Sequence, residues 1–158
     1  MPKIYCPKKN RLNIVFTYYR KIQKPTEALD SLWLHKYDPE VAKFVESYPN
    51  DQNGKWEMYF DSNIIDKKWK QAVKLYREGK LYGVQHIKVS TVAKCDTDST
   101  KKVIQFFCGP KKDSKHVHTV GYNLLHRISY KSERGIMYYK SDQQSSKEEN
   151  NANSRFIF

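Results

Sequence analysis

Residues 56–91, WEMYFDSNIIDKKWKQAVKLYREGKLYGVQHIKVST, decide the fold. The stretch starts within the bulky, aromatic run Lys55–Phe60, which is typical of a half-buried β-strand. It ends within Tyr82–Val92, which is rich in β-branched residues and predicts a second strand. Between these runs the apolar residues recur at helical spacing. The sequence therefore predicts a strand–helix–strand unit.

The helix of this unit is predicted over Asn63–Glu78. Its buried stripe consists of apolar residues at i, i+4, i+7 and i+11, namely Ile65, Trp69, Ala72 and Tyr76. Three residues of the types that cap helices precede it, namely Asp61, Ser62 and Asn63. Gly79 follows at the position of a left-handed C-terminal cap. We expect Trp69, and also Trp56 in the first strand, to be structural core residues.

Before this unit the sequence predicts one strand and two helices. Residues 11–18 alternate apolar and polar side chains, which predicts the strand. A short helix is predicted from Pro25 through Trp33 and Leu34. A second helix is predicted to begin at Asp38-Pro39, with Asp38 as its cap. Its apolar face would comprise Val41, Phe44, Val45 and Tyr48.

After the unit, a polar connection over Lys94–Lys102 is predicted to join two strands of a hairpin. The further predicted elements are a strand at Val103–Phe107, a helix at Ser114–Ile128 capped by Asp113 or Ser114, a strand at Ile136–Tyr139 and a terminal strand at Arg155–Phe158. Because several strands meet through short connections, we expect an α+β fold in which helices cover one face of an antiparallel sheet.

The length of 158 residues predicts a single domain over residues 1–158, with a flexible basic arm at residues 1–10 and a mobile loop at residues 141–153. The three cysteines are an odd number without paired spacing, which indicates reduced thiols. No apolar run approaches the roughly 20 residues of a membrane span, and a signal-peptide core is absent. We therefore expect an intracellular protein, cytoplasmic or nuclear, with no membrane partner.

The formal net charge of +12 favours a polyanionic partner, either nucleic acid or a nucleotide. Tyr18 and Tyr19 directly precede Arg20 and Lys21, and aromatic rings beside cations can stack bases and hold phosphates. We include Trp33 as a third candidate for base stacking. The alternative is that these aromatics end an ordinary strand whose basic side chains reach solvent.

A polar row is predicted on the second strand of the central unit. His86, Lys88 and Ser90 alternate with Ile87 and Val89, so the polar side chains should point away from the helices. We take His86, Lys88 and Ser90 as candidate ligand-binding residues on this face of the sheet. The alternative is an exposed sheet face that binds no ligand.

The sequence offers little support for catalysis. It contains no Walker loop and no dinucleotide fingerprint. His116 and His118 are two residues apart on a predicted helix, so they point to different sides and are not expected to hold a metal ion. No cofactor and no metal are therefore expected. A binding module is favoured over an enzyme, and the alternative is an enzyme that acts on a phosphorylated nucleotide with His86 and Lys88.

Several short motifs resemble those of the Bles-type (basophilic-leukaemia-expressed) family of unknown function, whose fold is similar to that of the eukaryotic cap-binding translation initiation factor. They are Gly54-Lys55-Trp56, the helix with Trp69, Lys88-Val89-Ser90-Thr91 and Tyr139-Lys140-Ser141-Asp142. The chain is also similar to the factor itself, with motifs in the same order: Asn10-Arg11, Gly54-Lys55-Trp56, Val117 to Gly121 and Ser154-Arg155-Phe156-Ile157.

The resemblance implies a curved antiparallel sheet, helices on its convex face and a ligand groove on its concave side. Lys88 and Lys147 stand where basic residues of the factor meet phosphates, and we add Arg155 to this phosphate-binding set. The two tryptophans that sandwich the cap base in the factor have no counterparts, because their places fall near Pro25 and Val45-Glu46. The helical face of the factor binds peptides, so a protein partner there is a further hypothesis.

Overall fold

The computed structural model describes residues 22–49, 51–94, 100–132, 136–142 and 154–157, with residues 136 and 154–157 described by their backbone alone. The strands are β1 (Trp33–Lys36), β2 (Gly54–Asp61), β3 (His86–Ser90), β4 (Lys101–Cys108), β5 (Ile136–Ser141) and β6 (Ser154–Ile157). The helices are α1 (Pro39–Ala42), α2 (Ile65–Arg77) and α3 (Ser114–Ile128), and a single 3-10 turn covers Pro25–Glu27.

The strands of the described residues form one curved sheet in the order β1-β3-β4-β2-β5-β6. Every pairing in it is antiparallel. The central strand β4 pairs over its full length with β2, from Lys101 opposite Asp61 to Cys108 opposite Gly54. The predicted α+β fold with an antiparallel sheet is confirmed.

The core lies between one face of this sheet and the helices α2 and α3. Trp56 of β2 is fully buried, and its indole Nε1–H donates a hydrogen bond to the Val117 carbonyl of α3 at 3.0 Å. Trp69 of α2 is 3% exposed and belongs to the same core. Both tryptophans are therefore structural, as predicted, because they fill the space between sheet and helices.

Helix α3 has the predicted bounds, and its cap is Asp113, whose carboxylate accepts a hydrogen bond from the His116 amide at 3.0 Å. Helix α2 begins at Ile65, and Ile64 occupies the capping position without a side-chain hydrogen bond. The predicted cap at residues 61–63 is therefore wrong. The predicted left-handed conformation at Gly79 is confirmed by its φ of +69°.

The helix predicted through Trp33 and Leu34 is wrong. The chain makes only the 3-10 turn before it extends into β1, where Trp33 lies opposite Ser90 of β3. The segment forms a strand because it pairs with β3 and because Leu34 packs against the core. These tertiary interactions outweigh the local preference for a helix.

Two further predicted elements are shorter than expected. Strand β3 starts at His86, because the residues before it turn at Gly83, whose φ is +73°. Helix α1 ends at Ala42, so the residues predicted to continue its apolar face lie beyond the helix. Val41 packs against the core, whereas Phe44 is 83% exposed. The terminal strand is present as β6, paired with β5.

The predicted strand at residues 11–18, the arm at residues 1–10 and the loop from residue 143 to residue 153 lie outside the described residues. Within the described part of the chain, no helix combines the length and the apolar character that a membrane crossing requires.

Candidate ligand-binding face

The sheet face opposite the helices carries a row of polar side chains, and we call this side the polar face. Directly paired residues of antiparallel strands point to the same side of a sheet. The pairings of His35 with Lys88, Lys88 with Gln105, Gln105 with Glu57 and Glu57 with Tyr138 therefore form one row across five strands. The predicted orientation of Lys88 away from the helices agrees with this register, and its neighbours Ile87 and Val89 are fully buried in the core.

Lys88 lies between two aromatic rings at the centre of the polar face. Its Nζ is 4.4 Å from the centroid of the Trp33 ring and 5.3 Å from that of Phe107. Lys94 Nζ lies 4.9 Å from the Trp33 ring centroid, so two cations share that indole. Across residues 22–49, 51–94, 100–132 and 136–142, no carboxylate lies within ion-pair distance of Lys88 Nζ.

The surroundings of Lys88 disfavour its charged form. Burial lowers the pKa of Lys88, and the nearby ammonium groups of Lys55 and Lys94 lower it further. The carboxylates of Asp142 and Glu57 act in the opposite direction without reversing the shift. A bound anion would stabilise the charged form of this lysine.

The two carboxylates of the polar face already have partners. Asp142 Oδ1 lies 3.8 Å from the ammonium of Lys55, which is 5% exposed. Burial raises the pKa of Asp142, and Lys55 opposes this rise. Glu57 Oε2 accepts a hydrogen bond from the Tyr59 hydroxyl at 2.6 Å and lies 3.4 Å from Lys140 Nζ. Neither carboxylate is therefore placed to neutralise Lys88 directly.

His86 stacks on Phe107, with ring centroids 4.0 Å apart and ring planes 12° apart. Burial lowers the pKa of His86 to about 4, and the charges of His35, Lys88 and Lys55 act in the same direction. At neutral pH the ring is therefore neutral and acts as an aromatic and hydrogen-bonding group.

Ser90 has a structural partner within the sheet. It is fully buried, and its Oγ accepts a hydrogen bond from the Val103 amide at 2.9 Å. This bond continues the β3–β4 pairing beyond the last backbone pair, because Val89 opposite Ile104 ends the ladder. A contact between Ser90 and a ligand stays a prediction.

The structure thus brings together three residues of the predicted site, namely Trp33, His86 and Lys88. Lys88 Nζ lies over the rings of Trp33 and Phe107, and His86 stacks on Phe107. Arg155 lies in β6 with its backbone opposite Tyr138. The remaining predicted residues, Tyr18, Tyr19 and Lys147, lie outside the described part of the chain. Among the residues described, no group of three or more His, Cys, Asp or Glu side chains is arranged to hold a metal ion.

The sequence prediction missed the contribution of β4 to the polar face. Gln105 and Phe107 point to the same side as Lys88, and Phe107 contacts both Lys88 and His86. The available signal was their spacing of two residues within the predicted strand. This spacing was hard to recognise because residues 102–108 are buried on both faces of the sheet, so polar and apolar side chains do not alternate clearly along the strand.

No protein-family model matches the sequence, and no curated protein matches it either. Solved structures do match in fold. The Caenorhabditis elegans eIF4E-3 in complex with the 4E-binding protein Mextli and a cap analog gives a TM-score of 0.61 at 13% identity, covering 90% of this chain and 80% of that chain. The complex of eIF4E-3 with Mextli gives 0.62 at 12% identity, covering 90% and 81%.

The schistosome eIF4E complexed with m7GpppG and 4E-BP gives a TM-score of 0.61 at 8% identity, covering 90% of this chain and 78% of that chain. At such identities the similarity establishes the fold alone, and membership of the Bles-type family stays a prediction. The chain therefore has the fold of the cap-binding translation initiation factors, at sequence identities of 13%, 12% and 8% to these three structures.

Proposed function

We propose that the protein is a binding module for a phosphate-bearing ligand, such as a nucleotide, an RNA 5′ end or single-stranded RNA, and that the ligand lies on the polar face. The observation that carries this proposal is the position of Lys88, whose Nζ lies on two aromatic rings with no carboxylate partner among the described residues. A phosphate is the anion that would complete this arrangement.

The electrostatics of the polar face favour anion binding. Lys88 is partly desolvated and is repelled by Lys55 and Lys94. Attraction between a phosphate and a partly buried ammonium is stronger than in bulk water, because the effective dielectric constant is lower. The overall charge of +12 would also attract polyanions over longer distances.

Proteins of similar fold bind cap ligands, since the solved structures include one eIF4E with a cap analog and another with m7GpppG. The base contact in this chain must differ from a cage of two tryptophans. Of its three tryptophans, Trp56 and Trp69 are buried in the core and only Trp33 lies on the polar face. We propose that phosphate contacts dominate, with Trp33 available for stacking and with Tyr18, Tyr19, Lys147 and Arg155 as further contributors.

An enzyme acting on a phosphorylated nucleotide is less well supported. The pKa of His86 at about 4 leaves the imidazole neutral at neutral pH, so it cannot serve as a general acid, and it makes the ring a weak base. A general acid–base catalyst works best with a pKa near the working pH. Binding without turnover is therefore the proposal, and chromatography of nucleotides after long incubation tests it.

A protein partner on the helical side is the second candidate, since the related factors are complexed with 4E-binding proteins. Tyr122 on α3 and Tyr82 in the connection between α2 and β3 are each 54% exposed, and the Tyr82 amide donates a hydrogen bond to the Asn123 side-chain oxygen. Exposed tyrosines are common anchors in protein interfaces. Loss of peptide binding in Tyr122→Ser with unchanged nucleotide binding would support this second candidate.

The test of the main proposal is a fluorescence titration with m7GpppG, GTP, inorganic triphosphate and a short RNA. Because Trp56 and Trp69 are buried, we expect the ligand-dependent change to come from Trp33 and to disappear in Trp33→Phe. Saturable quenching that weakens in Lys88→Ala supports the proposal. Absence of saturable binding by all four ligands overturns it.

A further inference from the structure

Gln105 holds a buried acceptor without a partner. The residue is 6% exposed, and its Nε2 donates a hydrogen bond to Glu57 Oε1 at 2.9 Å. Its Oε1 is buried and accepts no hydrogen bond from the residues that the structure describes. If the amide were turned around, its Oε1 would face the Glu57 carboxylate and no hydrogen bond could form between them. The bond to Glu57 therefore assigns Nε2 to the side of Glu57 and leaves Oε1 as the atom without a donor. Buried acceptors without donors are rare, and each calls for a partner such as a water molecule, an ion or a ligand.

The position of this acceptor relates it to the proposed phosphate site. Gln105 lies directly opposite Lys88 in the β3–β4 register. The Lys88 ammonium is seated on the rings of Trp33 and Phe107 and does not donate to Gln105. Two neighbouring groups at the centre of the polar face, one cation and one neutral acceptor, are thus both left for a ligand.

We propose that Gln105 Oε1 accepts a hydrogen bond from an N–H or O–H group of the same ligand whose anionic group binds Lys88. This inference rests on the proposed function and adds a specificity-determining residue to it. A fully ionised phosphate group has no hydrogen to donate, so the donor must belong to the sugar or the base. The polar face should therefore prefer a nucleoside phosphate over inorganic phosphates.

An amide suits this position better than a carboxylate would. A glutamate at position 105 would face Glu57 across β2 and β4, and it would repel both that residue and an incoming phosphate. The glutamine donates its N–H to Glu57 and leaves a neutral oxygen without a partner among the described residues. Lys88 and Gln105 together match a ligand that offers an anion and a donor at adjacent positions.

The experiment compares the wild-type protein with Gln105→Met, which keeps the side-chain length and removes the acceptor. Gln71→Met is the matched control, because Gln71 lies on α2 and its Nε2 donates to the Arg127 carbonyl. Affinities are measured for GTP and inorganic triphosphate at one pH and one salt concentration. We expect Gln105→Met to weaken GTP binding roughly three- to tenfold, the worth of one hydrogen bond, and to leave inorganic triphosphate unchanged.

Four analogues locate the donor: dGTP lacks the 2′-hydroxyl, 3′-deoxy-GTP lacks the 3′-hydroxyl, ITP lacks the 2-amino group and 1-methyl-GTP lacks the N1 proton. For the analogue without the donor that Gln105 accepts, the methionine substitution should cause no further loss. Equal losses for GTP and for all four analogues would overturn the inference, because no sugar or base donor of the ligand would then be coupled to Gln105.

Gln105→Met also removes the donor to Glu57, so its folding must be verified by its thermal transition. The comparison of analogues on the wild-type protein needs no variant: at least one should bind severalfold more weakly than GTP, and equal affinities would overturn the inference. If GTP and inorganic triphosphate bind equally well, the inference fails and phosphate binding stands. If neither binds, the proposed function fails as well.

Discussion

The ammonium nitrogen of Lys88 lies 4.4 Å from the centre of the Trp33 indole ring, on the side of the sheet away from the helices. The two residues are held there by a single pairing, because β1 runs antiparallel to β3 with Trp33 opposite Ser90 and His35 opposite Lys88. A cation on an indole is stabilised by the ring, yet the ring carries no charge that would neutralise it. Lys88 is therefore both positioned and available to a phosphate.

Replacing Lys88 with alanine should weaken binding of short single-stranded RNA and leave the fold intact, because the side chain is not part of the core. The slope of log affinity against log salt concentration should become shallower by about 0.7 for the loss of one phosphate contact. Titrations at several salt concentrations measure this slope. Lys67→Ala is the control, since Lys67 is exposed on α2, and an equal effect there would indicate diffuse attraction to the whole surface.

Protonation of His86 should destabilise the protein as the pH falls from about 6.5 to about 4. The pKa of His86 is about 4 in the folded state, against an ordinary value of 6.5. In this window the unfolded chain binds the proton and the folded chain does not, so the free energy of unfolding falls with decreasing pH. Urea denaturation at several pH values should show a weaker dependence in His86→Asn. Identical profiles for the two proteins would contradict the assignment.

Trp69→Ala should lower the free energy of unfolding by about 3–5 kcal/mol, because it leaves a large cavity between α2 and the sheet. Trp33→Ala should cost less, since Trp33 is only partly buried on the polar face. Chemical denaturation of both variants provides the comparison. Unchanged stability in Trp69→Ala together with lost ligand binding would place Trp69 in the site.

Gly54→Ala should also destabilise the fold, by roughly 1–3 kcal/mol, the usual cost of overpacking. A Cβ at this position would lie 2.5 Å from the Tyr139 hydroxyl and 2.7 Å from the Lys140 carbonyl oxygen. The Tyr139 ring is fixed because its hydroxyl donates to the Cys108 carbonyl at 2.8 Å. A lower midpoint in thermal denaturation is the expected result, and an unchanged midpoint would show that β2 and β5 can separate at this end.

The sequence predicted those parts of the fold and the site in which a regular pattern survives. Lys88 could be assigned to the polar face because β3 alternates polar residues with the buried Ile87 and Val89. Gln105 and Phe107 were missed because β4 is covered on both sides, which removes the alternation of polar and apolar residues.

Trp33 illustrates a second limit of prediction from the sequence. Its segment was predicted as helical from local signals, and a pairing with β3, more than 50 residues later in the sequence, makes it a strand. Non-local pairings of this kind depend on the whole sheet and leave little trace in the residues around them. The candidate site therefore needed the structure to bring Trp33 to Lys88.

The most direct test of phosphate binding on the polar face is a crystal structure of the protein with GTP. We expect a phosphate oxygen about 2.7–2.9 Å from Lys88 Nζ, the distance of a charge-assisted hydrogen bond. Nucleotide phosphates bound beside Lys67 on the helical side, with Lys88 still seated on the Trp33 ring, would contradict it.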